Sequence, residues 1–232
     1  MIRFAPFLFA LALARAASAT PALIEDSLAQ RLAACTTCHG KEGRAAPDGY
    51  YPRIAGKPAG YLFNQLQNFR DGRRRYGPMV ALTDPLPDSY LREIAEHLAA
   101  LDLPYPTPPR ATEDAAVLER GRLLAQQGDA RKGLPACNSC HGAALTGVLP
   151  AVPGLLGLPR DYLAGQLGAW LHAERRARAP DCMADIAKKL DGGDLVAVSA
   201  WLASQPVPQP AKPADALAQP APLRCGSMGA LP

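Results

Sequence analysis

Long apolar runs are scarce in this chain of 232 residues. Beyond the first nineteen residues no stretch is long or apolar enough to span a bilayer, which excludes a helical membrane protein over the remainder. Strand signals are nearly absent too, so a sandwich or barrel is excluded and the chain reads as all-α. Charge of neither sign is in excess. Residues 20–103 carry ten Lys and Arg against ten Asp and Glu, and residues 111–204 repeat that balance of ten and ten. The formal +4 becomes +2 once Arg3 and Arg15 are set aside. No nucleic-acid partner fits that profile. Histidine and methionine number four each and cysteine six, so where they fall is informative.

Four of the six cysteines lie in two stretches, Cys35-Thr36-Thr37-Cys38-His39 and Cys137-Asn138-Ser139-Cys140-His141. Each reads C-x-x-C-H, the pattern by which a haem is attached covalently. A shuffled chain of this composition would hold on the order of 0.003 such motifs. The spacing suits the chemistry. Two thiols three positions apart on an early helix reach the two vinyl groups of one porphyrin edge, and the next histidine falls beneath the iron. A thioredoxin-like reading needs a βαβ setting that neither motif has. A zinc site shared by both motifs would leave the repeated histidine without a purpose. The sequence thus predicts two covalently attached haem c groups, held by Cys35, Cys38, Cys137 and Cys140, with His39 and His141 as iron ligands.

The ends and the middle set the organisation. Residues 1–19 read as a secretory signal, with Arg3, an apolar core from Phe4 to Ala14, and Ala17-Ser18-Ala19 as a small-residue cleavage site. That implies export to the periplasm, an oxidising compartment of the kind in which c-type haem is attached. The proline-rich stretch around residues 104–110 reads as a stiff linker. It separates a first domain over 20–103 from a second over 111–204. Residues 205–232 have the Pro/Ala-rich composition of an unstructured tail.

The two domains repeat each other. Pro52-Arg53-Ile54-Ala55-Gly56 matches Pro153-Gly154-Leu155-Leu156-Gly157, and Tyr61-Leu62-x-x-Gln65-Leu66-x-x-Phe69 matches Tyr162-Leu163-x-x-Gln166-Leu167-x-x-Trp170. Those positions form one broad face of a helix. A basic loop follows, Arg70 to Arg75 or Arg175 to Arg178, then a methionine, then a second amphipathic helix around Leu91 or Leu195. Met79 and Met183 each precede that helix by the same interval, which makes them the candidate sixth ligands. His97 and His172 do not recur in the repeat and read as ordinary solvated or packed residues.

The whole pattern, twice over, resembles the cytochrome c4 family of dihaem periplasmic cytochromes across about residues 24–204. The resemblance implies two tandem class I cytochrome c-like domains, each wrapped around a His/Met-ligated haem and packed about a pseudo-twofold axis. It also implies that the carbonyls of Pro52 and Pro153 accept the Nδ1–H of the ligating histidines. The expected function is one-electron transfer in a respiratory chain towards a terminal oxidase. The expected partners are a membrane cytochrome complex, a terminal oxidase or a dehydrogenase, with membrane association only through them. The alternative is a dihaem subunit of a periplasmic dehydrogenase; a dihaem peroxidase would need a displaceable ligand. Cys182, Cys225 and the tail are departures that the resemblance does not cover. Two cysteines left over in an oxidising compartment predict a Cys182–Cys225 disulfide. The basic loops, Arg73 to Arg75 and Arg175, Arg176 and Arg178, read as a docking surface for an acidic partner or as solvated charge.

Overall fold

A computed structural model describes residues 27–46 and 48–229. The predicted signal segment at residues 1–19 lies outside them. The first half comprises α1 (Leu28–Arg31), α2 (Ala33–His39), α3 (Ala59–Arg70), α4 (Gly77–Thr83) and α5 (Asp88–Ala100). The second comprises α6 (Ala115–Gln126), α7 (Asn138–His141), a hairpin β1 (Gly147–Val148) and β2 (Val152–Pro153), then α8 (Arg160–Leu171), α9 (Cys182–Ala187) and α10 (Gly192–Ser204). Proline sets the start of several helices. Pro58 and Pro159 stand at the N-caps of α3 and α8, and Pro78 sits in the first turn of α4. Asp181 and Asp191 cap α9 and α10 by accepting from the amides of Ala184 at 3.1 Å and Asp194 at 2.8 Å.

Each half has its own apolar cluster. In the first, α5 buries Leu91, Ile94, Ala95 and Leu98 at helical spacing against Leu62 and Phe63 of α3. Complete burial of a side chain such as Leu91 or Phe63 stabilises by roughly 1.5–3 kcal/mol. In the second, Leu124 of α6 and Val198, Trp201 and Leu202 of α10 pack with Leu163 of α8. Here α6 and α10 approach so closely that a Cβ on Gly121 would lie 2.1 Å from the Ala197 carbonyl oxygen. Arg120 ties the same two helices by donating to Asp194 at 2.8 Å.

Two findings differ from the sequence expectation. The second half is not purely helical, because β1 and β2 pair antiparallel with Val148 opposite Val152. Two-residue strands are too short to leave a period of two in the sequence. The tail is also not loose. Ala214 donates to Gly147 O at 3.0 Å and accepts from the Leu149 amide at 2.8 Å, adding itself to the hairpin. Beyond it Cys225 is joined to Cys182 by a disulfide, as cysteine parity predicts.

The halves meet along a seam that the linker crosses. Residues 101–112 carry no helix or strand. Arg53, 3% exposed, fixes their path by donating to Leu103 O at 2.6 Å and Pro104 O at 3.1 Å, with its guanidinium 3.9 Å from the Tyr105 ring centre. Across the seam Gly60 N–H donates to Pro150 O at 3.0 Å, and Arg176 N–H to Arg73 O at 2.7 Å.

Candidate functional site

The first motif lies on α2, which brings Cys35 and Cys38 to one face one turn apart. The second spans the N-cap and body of α7. Both helices end at the histidine because a glycine follows in a positive-φ conformation, Gly40 at 74° and Gly142 at 84°. A side chain there is also barred sterically, since a Cβ on Gly40 would lie 2.3 Å from Ala45 O. The chain then loops back over each imidazole. His39 Nδ1 is 2.8 Å from Pro52 O, and His141 Nδ1 is 2.8 Å from Pro153 O. A carbonyl only accepts, so Nδ1 carries the proton and Nε2 keeps its lone pair. Burial holds both imidazoles below the ordinary histidine range, with the Arg74 guanidinium adding to the effect at His39.

Both motifs open onto one continuous cavity of about 670 Å³ that crosses the seam. Cys35, His39, Pro52 and Met79 line it from the first half, and Cys137, Cys140, His141, Pro153 and Met183 from the second. Cys38 is half-buried beside it. His97 and His172 do not line it. Met228, which the sequence reading passed over, does.

Four of the six loop arginines turn inward, which departs from both the docking and the solvated-charge readings for those four. Arg175 is only 5% exposed and donates to Gln166 Oε1 at 2.7 Å and Gln65 Oε1 at 2.9 Å. Arg74 donates to the same two oxygens, at 3.1 Å on Gln65 and 2.8 Å on Gln166. Their guanidiniums lie over Phe69 at 4.3 Å and Trp170 at 3.8 Å. Arg178 donates to Gln67 across the seam, and Arg73 is held by Asn68 at 2.6 Å and Asp71 at 2.6 Å. Only Arg75 and Arg176 of the six are exposed. The repeat contained one clue. A glutamine recurring on an otherwise apolar helix face needs a buried partner.

The wall suits a particular kind of guest. It is mostly apolar, yet Trp170 Nε1–H and Ser227 Oγ are buried on it without hydrogen-bond partners among the described residues. Lys57 and Arg175 are buried there with no carboxylate ion pair among the described residues. Burial pushes Lys57 down to about 8, with Arg53 adding to it, and it donates to Gly154 O at 3.3 Å. A flat apolar body with acidic edges, such as a porphyrin bearing propionates, supplies what these groups lack. A zinc thiolate site fits poorly. Burial pushes the Cys137 thiol up to about 11 and raises Cys35 and Cys140, the reverse of a ligand thiol. Among the described residues no three or more His, Cys, Asp or Glu come together as a metal-holding group.

Comparison with known proteins agrees. No family model matches the chain. It is 36% identical over 184 residues to a thiosulfate dehydrogenase electron acceptor of Thiomonas intermedia, covering 79% of this chain and 83% of that protein. It is 30% identical over 174 residues to cytochrome c4 of Pseudomonas aeruginosa, covering 74% and 84%. Its fold matches reduced recombinant cytochrome c4 from Pseudomonas stutzeri with a TM-score of 0.66 at 29% identity, over 76% of this chain and 95% of that one. It also matches the thiosulfate dehydrogenase TsdBA from Marichromatium purpuratum, with a TM-score of 0.67 at 31% identity over 74% of this chain. There it spans only 36% of the solved chain, about a third of its length.

Two tandem class I cytochrome folds with covalent haem c define a dihaem electron-transfer protein. The chain belongs to the cytochrome c4 family.

Proposed function

We propose that His39 with Met79, and His141 with Met183, are the axial pairs of the two haems, with thioether bonds to Cys35 and Cys38 and to Cys137 and Cys140. The observation that carries this reading is the mirrored pair of histidine–proline hydrogen bonds, both 2.8 Å, opening onto one cavity that both methionines line. When bound, each haem supplies a one-electron iron couple whose potential methionine ligation raises relative to two histidines. The residues of this chain do the rest. Pro52 and Pro153 hold the ligating tautomer and the ring orientation. Lys57, Arg74, Arg175, the Trp170 N–H and the Ser227 hydroxyl take the acidic edges. The apolar wall keeps water from the irons, which favours the less charged reduced state.

We infer further that the electron donor is a thiosulfate-oxidising dehydrogenase and that the protein passes electrons on towards a terminal oxidase. Support comes from the relative at 36% identity that is named as the acceptor of such an enzyme. The domains are taken as 20–103 and 111–204, joined by the linker at 104–110, and the protein as exported to the periplasm. No described helix is long and apolar enough to cross a membrane. Stopped-flow mixing of the oxidised protein with a thiosulfate dehydrogenase and thiosulfate tests the donor. The proposal predicts reduction of both haems at a rate that rises with the dehydrogenase concentration. Oxidised haems after prolonged mixing, with rapid reduction by a membrane quinol-oxidising cytochrome complex, would overturn it.

A further inference from the structure

The second half carries a strap with no counterpart among the described residues of the first. After pairing with the hairpin, the tail returns to the cavity, where Leu223, Cys225, Ser227 and Met228 form part of the wall. Three ties hold it there. Cys225 is bonded to Cys182, the first residue of α9 and the neighbour of Met183. Gly226 N–H donates to Pro180 O at 2.9 Å. Ser227 O accepts from Asn64 Nδ2, on α3 of the other half, at 3.1 Å. The strap thus joins the segment that precedes Met183 to the opposite side of the seam.

We propose that the Cys182–Cys225 disulfide is a thiol-reducible latch that positions Met183 and closes the second haem, but not the first, to outside ligands. This rests on Met183 being the sixth ligand of that haem. With the disulfide intact, the loop between the two cysteines, 43 positions apart, is closed at the base of α9, so the methionine helix and the cavity wall move as one piece. A dithiol reductant opens it by exchange. Its thiolate attacks one sulfur of the bridge, the S–S bond breaks, and a second thiol closes the reductant's own disulfide. Two electrons and two protons pass to Cys182 and Cys225, which become thiols. Two hydrogen bonds then hold residues 225–229 at the cavity, a low local barrier to opening. The freed Cys182 sulfur lies next to Met183 along the chain as a rival for the iron. Among the described residues Met79 on α4 has no such strap, so the two haems respond differently.

The test uses ferrous holoprotein and carbon monoxide. Native protein with its disulfide intact should take up none. After treatment with dithiothreitol, or in Cys182→Ser/Cys225→Ser, one haem of the two should bind it. The potential of the second haem should fall while the first stays put. A strap that merely stabilises the fold would leave both potentials unchanged. Treating the native holoprotein decides the matter if the double variant does not fold. Met183→Ala separates the two claims. If it binds carbon monoxide but the unlatched protein does not, the latch is wrong and the ligand stands. If neither binds, the ligand reading fails and the latch with it.

Discussion

Arg74 and Arg175 pair main chain to main chain across the seam as an antiparallel bridge, and each guanidinium reaches the glutamine of the opposite half. The reciprocity has a physical cost built into it. Two cations lie side by side, Arg175 buried and Arg74 half-buried, and burial and the Arg74 charge hold Arg175 below its ordinary range. Gln65 and Gln166 each supply one neutral oxygen that accepts from both guanidiniums. Replacing both by leucine strands the guanidiniums, at about 1–3 kcal/mol for each buried group left unsatisfied. Calorimetry of Gln65→Leu/Gln166→Leu holoprotein should show the halves unfolding in separate transitions. One transition at the native temperature would mean that the four-residue cluster does not couple them.

Met79→Ala and Met183→Ala should each open one iron to carbon monoxide while both haems stay attached, because the thioether bonds do not depend on the sixth ligand. Spectra and the mass of the denatured protein check the two halves of that statement. Unchanged ligand binding in either variant would remove that methionine from the axial pair.

Lys57 makes the potential depend on pH. Its folded pKa, pushed down to about 8 by burial and by Arg53, lies below its unfolded value. Below that pH the ammonium adds positive charge to the cavity wall and favours the reduced, less positive state. Above it the amine is neutral. The haem's acidic edge opposes that lowering, so the potential should be level up to at least about pH 8 and fall only beyond it, and Lys57→Met should abolish the fall. Identical profiles for the two proteins would exclude Lys57 as the cause.

Gly121→Ala should destabilise the second half selectively. The added methyl would meet the Ala197 carbonyl oxygen at 2.1 Å, so α6 and α10 must separate, at about 1–3 kcal/mol for overpacking. Urea unfolding in the Gln65→Leu/Gln166→Leu background, followed at each haem, should show the loss at the second. An equal midpoint in both proteins would contradict this packing.

Much of this was legible in the sequence because a repeat reads the same pattern twice. Two motifs with matched intervals to Pro52 and Pro153 and to Met79 and Met183 give the helices their order and the candidate ligands their places. The loop arginines were not legible. Whether Arg74 points inward and Arg75 outward depends on the backbone path after α3, and a run of three arginines has no period to show it. The tail misled through composition. Proline and alanine supply little burial, but one disulfide and a few backbone bonds hold the segment where propensity alone would not. Lys57 and Tyr105 escaped notice because nothing local to either residue reveals that the linker folds back over the seam.

Two methionine-ligated haems that exchange one electron each should offer no open coordination site. A spectroelectrochemical titration of the native holoprotein under carbon monoxide tests it most directly. Two electrons should be taken up per chain, with the methionine-to-iron charge-transfer absorbance of both ferric haems lost in step with reduction and no carbon monoxide bound at any potential. Uptake of a single electron per chain, or a carbon monoxide complex at either haem while the disulfide is intact, would contradict it.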